Sequence, residues 1–312
     1  MSHHVGDIGT LGGPYRSREK SPVSSGVMAP DNGRDGAAAP ELIRLMLADV
    51  DGTLVTPDKQ LTKQAVGAVR ELSSADVLFA ITSGRPPRGM AMLVGPLGLQ
   101  TPIAAFNGGV LVEPDMTVIE ERTIPQSLVS DISELIGSFG LDVWIYRGAD
   151  WYVPDPEGPH VAREAATVQF DPNVMTSLEG LTDSVAKIVG VSDDREAMTK
   201  ATGAVHDRFG DHVSAATSQP YYLDVTHPDA NKGAVVKWLA SRYDIPTDEV
   251  ATIGDMANDV LMFAHSGLSI AMGNADAQVQ RAARRVTDTN QRDGFSKAVE
   301  QFVLPRAPRP AT

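Results

Sequence analysis

Leu42-Ile43-Arg44-Leu45-Met46-Leu47-Ala48-Asp49-Val50-Asp51-Gly52-Thr53 is an apolar run that ends in two carboxylates. The run reads as a buried strand. In open α/β sheets ligands bind outside the carboxyl ends of the strands, so Asp49 and Asp51 stand where chemistry can occur. One acid can attack an electrophile or hold a metal while the other, two residues on, manages a proton. Gly52 lets the chain turn closely around both, and Thr53 adds a hydroxyl beside them.

Working outward, apolar runs alternate with helical patterns. A strand over 42–48 is followed by a helix over 62–74 and strands over 77–82 and 103–106. The same winding resumes as helix 231–243, strand 250–253, helix 257–265, strand 268–271, helix 275–284 and strand 285–287. This alternation predicts an α/β fold with a parallel sheet. Between the two stretches, residues 123–226 have another texture: helical patterns at 126–138 and 194–209, and short aromatic strands such as Val143-Trp144-Ile145-Tyr146 and Trp151-Tyr152-Val153. They read as an α+β domain inserted into the first. The predicted organisation is therefore a disordered leader over 1–40, a core over 41–122 and 227–304, an insertion over 123–226, and a frayed tail over 305–312. The leader is rich in Gly, Ser, Pro and Ala without period, and its His3 and His4 are read as incidental.

Composition narrows the chemistry. The chain of 312 residues has no cysteine, which excludes disulfides, thiolate catalysis and Cys-ligated zinc. Any metal must use oxygen or imidazole. A net charge of −13 opposes non-specific nucleic-acid binding and requires local cations if the substrate is a phosphate. No apolar stretch approaches the roughly 18 residues of a membrane span, and the first 40 residues lack a signal peptide's apolar segment. A soluble, cytoplasmic protein is expected.

The other candidate residues fall at the same kind of position. The strand over 77–82 runs into Ser83-Gly84-Arg85, and Phe106-Asn107-Gly108-Gly109 closes the next, where an amide and two glycine N–H groups could meet an anion. Each alone also suits an ordinary turn. Lys232 opens a helix although cations are disfavoured there, which points to a use for its charge. In Gly254-Asp255-Met256-Ala257-Asn258-Asp259 two acids lie four apart and share a face if the helix begins near 255. Acids gathered at one sheet edge repel one another unless a cation sits among them, and hard oxygen ligands point to Mg²⁺. An EF-hand fails on register.

The order Asp49-x-Asp51-Gly52-Thr53, Ser83-Gly84-Arg85, Lys232 and Gly254-Asp255-x-x-Asn258-Asp259 resembles the four motifs of the haloacid dehalogenase superfamily of phosphohydrolases. Phe106-Asn107-Gly108, Met272-Gly273-Asn274-Ala275 and Asn290-x-x-Asp293-Gly294 further resemble its Cof-type subfamily, subclass IIB. The resemblance covers about residues 41–304. It implies a Rossmann-like core with the insertion as a cap. It also implies that Asp49 is the nucleophile that forms an aspartyl-phosphate, and that Asp51 is the acid and then the base. Mg²⁺ would be held by Asp49, Asp255, the main-chain oxygen of Asp51, and Asp259 directly or through a water. Ser83, Gly84, Asn107, Lys232 and Asn258 would bind phosphoryl oxygens.

The expected activity is hydrolysis of a small phosphorylated metabolite, most generally a sugar phosphate. A phosphomutase, or a phosphatase of a flavin precursor or pyridoxal phosphate, shares the chemistry. A glycosyltransferase using Asp49 and Asp51 for metal would not need Ser83, Lys232 and Asp255, and a non-catalytic binding member would not need both acids. Oligomeric state is not legible. In the insertion, Trp144, Tyr146, Trp151 and Tyr152 are expected chiefly as core, one of Tyr221 and Tyr222 is expected to face the substrate, and His160 and Arg163 are expected on solvated surface.

Overall fold

The computed structural model describes residues 40–308. The expected leader, with His3 and His4, lies outside the described residues apart from Pro40, as does the end of the expected tail from 309. The chain first forms β1 (Leu45–Asp49), α1 (Lys63–Ser74), β2 (Leu78–Thr82), α2 (Ala91–Leu97), β3 (Ile103–Ala105), β4 (Val110–Val112) and β5 (Val118–Glu121). It continues through α3 (Gln126–Ser138), β6 (Asp142–Arg147), β7 (Asp150–Val153), α4 (Val161–Val168), β8 (Asn173–Val174), β9 (Val185–Val191), α5 (Arg195–Phe209), β10 (Ser214–Gln219) and β11 (Tyr222–Thr226). It ends through α6 (Lys232–Arg242), β12 (Val250–Gly254), α7 (Val260–Phe263), β13 (Leu268–Ala271), α8 (Ala277–Ala282), β14 (Arg285–Val286) and α9 (Gly294–Ala298).

Two sheets result. The first has eight strands in the order β14-β13-β12-β1-β2-β3-β4-β5, parallel from β14 to β3, with β4 and β5 added antiparallel at one edge. β1 lies inside it because both its faces are apolar. Leu45 and Leu47 pack with Val235, Val236 and Leu239 of α6, while Met46 and Ala48 pack with Ala65, Val69 and Leu72 of α1. Burial of each large side chain stabilises by about 1.5–3 kcal/mol, which forbids polar residues until the strand reaches its end. That is why the carboxylates begin at Asp49.

The helices have local reasons to start where they do. Thr62 caps α1 by accepting from the Ala65 N–H, and Asn231 caps α6 by accepting from the Ala234 N–H at 2.9 Å. Asp276 caps α8, accepting from Gln278 and Val279, so this helix begins two residues later than its apolar pattern suggested.

The second sheet, order β10-β11-β9-β6-β7-β8, is mostly antiparallel and comes wholly from the inserted segment. One face packs Ile145, Ile188, Leu223 and Val225 against α3 and α5. The opposite face carries Trp144, Tyr146, Val189 and Tyr222, which join Phe106 and Met90 of the first sheet's loops in one continuous apolar cluster.

Several expectations change. The helix foreseen over 257–265 is a 3₁₀ turn over Ala257–Asp259 followed by the short α7. The elements α2, β4, β5, α4, β8, β9 and β10 were not foreseen. β4 and β5 are too short to show a period, and β9 has apolar residues on both faces. The segment after Pro305 does not fray at its start: Arg306 accepts a hydrogen bond at 2.7 Å from the Ile43 N–H, and Ala307 packs on the core.

Candidate active site

The carboxyl ends of β1, β2, β3 and β12 and the first turn of α6 meet at one edge of the parallel sheet. Asp49 closes β1 and is 5% exposed; Lys232, the first residue of α6, is 2% exposed. The Lys232 Nζ donates to Asp49 Oδ1 at 2.6 Å and to Asp259 Oδ1 at 2.5 Å. A lysine so deeply buried persists only when paired. Burial alone would lower its pKa, but the Asp259 and Asp49 carboxylates outweigh burial and hold the ammonium firmly charged. The cation foreseen at an unfavourable helix start is thus neutralised across the sheet edge.

Asp49 Oδ2 is buried with no hydrogen-bond partner. Burial pushes the Asp49 pKa well above the usual value; Lys232 opposes this, and Asp259 and Asp255 add to it. Asp255 is pushed up to about 7, by burial first and by Asp259 next, against Lys232 and a hydrogen bond from Thr53 Oγ1. Oxygens of Asp49, Asp255 and Asp259 lie within 4.8 Å of one another. Three crowded carboxylates, one with an orphaned oxygen, form a donor set that fits a divalent cation.

Asp255 and Asp259 converge, but not as expected. Asp255 lies in the loop before the helical turn, so the two do not share a helix face. Instead Asp259 Oδ2 folds back to accept from the N–H groups of Asp255 at 2.8 Å and Met256 at 2.9 Å. Asn274 completes the loop, its Nδ2 donating to Asp255 Oδ2 and to the Gly52 carbonyl.

The Asp51 side chain turns away from this cluster. Arg85 donates to it twice, Lys59 Nζ donates at 2.7 Å, and Ser83 Oγ donates at 3.3 Å. Burial would raise the Asp51 pKa, yet Arg85 and Lys59 hold it well below the usual carboxylate range. The sequence shows Arg85 after β2 without a role, and Lys59 was not singled out.

Asn258 Nδ2 donates to Asn107 Oδ1 at 3.4 Å, and Asn258 Oδ1 is buried without a partner. Asn107 has φ 58° and is fixed by its N–H to the Ser83 carbonyl. Of the two glycines after it, Gly109 does not offer its N–H to an anion. A Cβ on Gly108 would strike Val235 of α6, and the Gly109 N–H is used by the Phe106 carbonyl. Gly108 is small so that α6 can approach. Gly84 adjoins Asn107 and accepts from Lys187 at its carbonyl. Gly52 is sterically required: its φ is +84°, and a Cβ there would collide with the Asp255 carboxylate.

Asp49, Asp51, Lys59, Ser83, Gly84, Arg85, Asn107, Lys232 and Asn258 floor a cleft of about 150 Å³ roofed by the six-stranded sheet. Trp144 and Tyr146 are core residues that also line the cleft, while Tyr152 packs on the helical face. Both Tyr221 and Tyr222 line it, because Tyr221 precedes β11 in a turn and escapes strand alternation. Arg163 stands at the rim beside the Tyr221 ring, 5.3 Å from its centroid; His160 stacks on Tyr221 and pairs with Asp193 outside the lining. The roof also supplies Lys187, Glu164 and Asp224, which were missed. Lys187 had a visible signal, a charge inside the apolar run Val185–Val191.

The family of haloacid dehalogenase-like hydrolases matches residues 46–299. A putative phosphatase of Haemophilus influenzae is 26% identical over 83% of this chain and 98% of its own length. The 5-amino-6-(5-phospho-D-ribitylamino)uracil phosphatase YitU of Bacillus subtilis is 24% identical over 83% and 97%. Among solved structures, a haloacid dehalogenase-like hydrolase from Bacteroides thetaiotaomicron superposes with a TM-score of 0.75 at 26% identity, covering 83% of this chain and 99% of that one.

Proposed function

The chain belongs to the haloacid dehalogenase-like hydrolases, and from that premise we propose that it is a Mg²⁺-dependent phosphatase of small phosphate monoesters, sugar phosphates foremost. The observation that carries this reading is the buried contact of Lys232 with Asp49 and Asp259, which leaves Asp49 Oδ2 free beside Asp255. Mg²⁺ held by Asp49, Asp255 and the main-chain oxygen of Asp51, with Asp259 behind them, would offset the charge between an anionic nucleophile and an anionic ester.

Asp49 Oδ2 attacks phosphorus, the bond to the alcohol oxygen breaks, and Asp51 gives that oxygen a proton. Water then attacks the aspartyl-phosphate, losing its proton to Asp51, and Asp49 is released with inorganic phosphate. Arg85 and Lys59 keep Asp51 ionised in the free site, so its acid role requires both cations to be drawn toward the entering phosphoryl group. Ser83, Lys232, Asn258 and Asn107 supply donors for the phosphoryl oxygens as charge spreads in the transition state.

The inserted segment acts as the cap. Its cleft of about 150 Å³ is smaller than the roughly 300–1,000 Å³ of sites that enclose drug-sized ligands, which favours an alcohol no larger than a sugar. A second reading, a flavin-precursor phosphatase, is supported by the name of the YitU relative and by the aromatic roof. Phosphate release from a panel containing both classes, with Mg²⁺ and with EDTA, tests these readings. Asp49→Asn, nearly isosteric but without the nucleophilic charge, is expected to abolish turnover and keep the fold. Turnover retained by that variant would overturn the mechanism.

A further inference from the structure

The roof of the cleft carries a buried ion pair that the phosphoryl chemistry does not use. Register places Lys187 of β9, Tyr222 and Asp224 of β11 and Tyr146 of β6 on the cleft side of the sheet. Lys187 and Asp224 are each 6% exposed. Lys187 Nζ donates at 3.3 Å both to Asp224 Oδ2 and to the Gly84 carbonyl across the cleft. Asp224 Oδ1 and the Tyr222 hydroxyl are buried without any hydrogen-bond partner. Each orphaned group costs about 1–3 kcal/mol, a cost that a ligand presenting hydroxyls would remove. Glu164 of α4 lines the same space and accepts from the Tyr146 hydroxyl at 2.7 Å.

Charge decides what kind of alcohol fits. Among the described residues lining the cleft, Lys59 and Arg85 are engaged with Asp51, Lys232 with Asp49 and Asp259, and Lys187 with Asp224. Arg163 stands at the exposed rim beside Tyr221. A second anionic group on the substrate would therefore face Asp224 and Glu164 under the roof, where like charges are costly. A cationic group would face Lys187. Resting on the phosphatase reading above, we propose that Asp224 and Tyr222 select a neutral, hydroxyl-bearing leaving group, and that Asp224 with Glu164 excludes esters whose alcohol carries a second anion.

The test compares kcat/KM, with Mg²⁺ present, for four monoesters: an aldose or polyol phosphate, an amino-sugar phosphate, a phosphorylated hydroxy acid and an aryl phosphate. The neutral ester is expected to exceed the carboxylate-bearing one by at least about tenfold, the scale of a like-charge penalty. Asp224→Asn, which keeps an acceptor and removes the charge, and Glu164→Gln are each expected to move that ratio about fivefold or more toward the carboxylate ester. Tyr222→Phe is expected to raise KM for the neutral ester more than for the aryl one. Equal use of neutral and carboxylate esters while the aryl phosphate is hydrolysed overturns the inference. So does a preference for the ammonium-bearing ester, or a ratio unmoved in both charge variants. The wild-type ratio is read without any variant, so misfolding of one does not decide the matter. If the wild type releases phosphate from none of the four, aryl ester included, the phosphatase reading itself fails and this inference falls with it.

Discussion

Arg85 holds Asp51 through two parallel hydrogen bonds, Nε to Oδ2 and Nη2 to Oδ1, each 2.8 Å long. The guanidinium is 4% exposed and anchored behind by the Gly89 carbonyl. A planar fork of this kind fixes a carboxylate in orientation as well as charge. It ties the motif after β2 to the acid after β1.

Arg85→Lys keeps the charge and loses the fork. We expect kcat/KM to fall by roughly 10- to 100-fold, the scale on which a misplaced catalytic group costs rate. The Asp51 pKa, now depressed, is expected to rise, moving the limb on which kcat/KM falls as this acid loses its proton to higher pH. A pH–rate profile of variant against wild type checks both; an unshifted limb would remove Arg85 from control of Asp51.

Arg85→Met should also cost stability, about 1.5–3 kcal/mol for hydrogen bonds to a charged group. The folded pKa of Asp51 lies below its unfolded value, so this contribution is present above the unfolded carboxyl pKa and lost as pH falls through the folded one. Urea unfolding at pH 7 and at pH 3 should show the larger difference between the proteins at pH 7.

Asp255 has a folded pKa raised to about 7, so its sign is opposite. Between the unfolded carboxyl pKa and about 7 the folded protein holds the extra proton, and metal-free stability falls as pH rises through that window. Protons compete with the cation there. The rise in Tm produced by Mg²⁺ is expected to be larger at pH 8 than at pH 6, and to vanish in Asp255→Asn. Thermal scans with Mg²⁺ and with EDTA read this directly.

Lys232→Met leaves Asp49 and Asp259 buried without their cation. Breaking such a pair costs about 3–5 kcal/mol, and at roughly 2–4 °C per kcal/mol for a chain of this size the Tm should drop by about 6–20 °C. Turnover should be lost as well. Calorimetry showing an unchanged Tm would contradict the paired burial.

Gly52→Ala and Gly84→Ala separate two kinds of glycine. The first meets a positive φ and the Asp255 carboxylate, so it should cost more than about 1 kcal/mol and damage Mg²⁺-dependent turnover. The second places its Cβ 3.7 Å from the Asn107 amide, ordinary contact, and should keep the fold. Tm values of the two variants decide.

What the sequence determined by itself was local or periodic. The run ending at Asp49 shows a strand that must stop where polarity begins, and the alternation after it shows a parallel sheet. Asp51, Ser83, Asn107 and Asp255 were legible because parallel strands deliver their carboxyl ends to one edge, so position along each strand is enough. Lys232 was legible because its charge conflicts with its place at a helix start. Tertiary structure decided which groups actually meet. Nothing local tells that Lys59 and Arg85 turn to Asp51, that Asp259 folds back on the backbone of Asp255, or that Gly108 is small for the sake of α6. Those contacts join residues far apart in the chain, and they are fixed only when the helices pack. Lys187 and Asp224 lie deepest in this category. Each is the single charged residue of its strand, and only the antiparallel register of β9 and β11 sets them close together above the cleft.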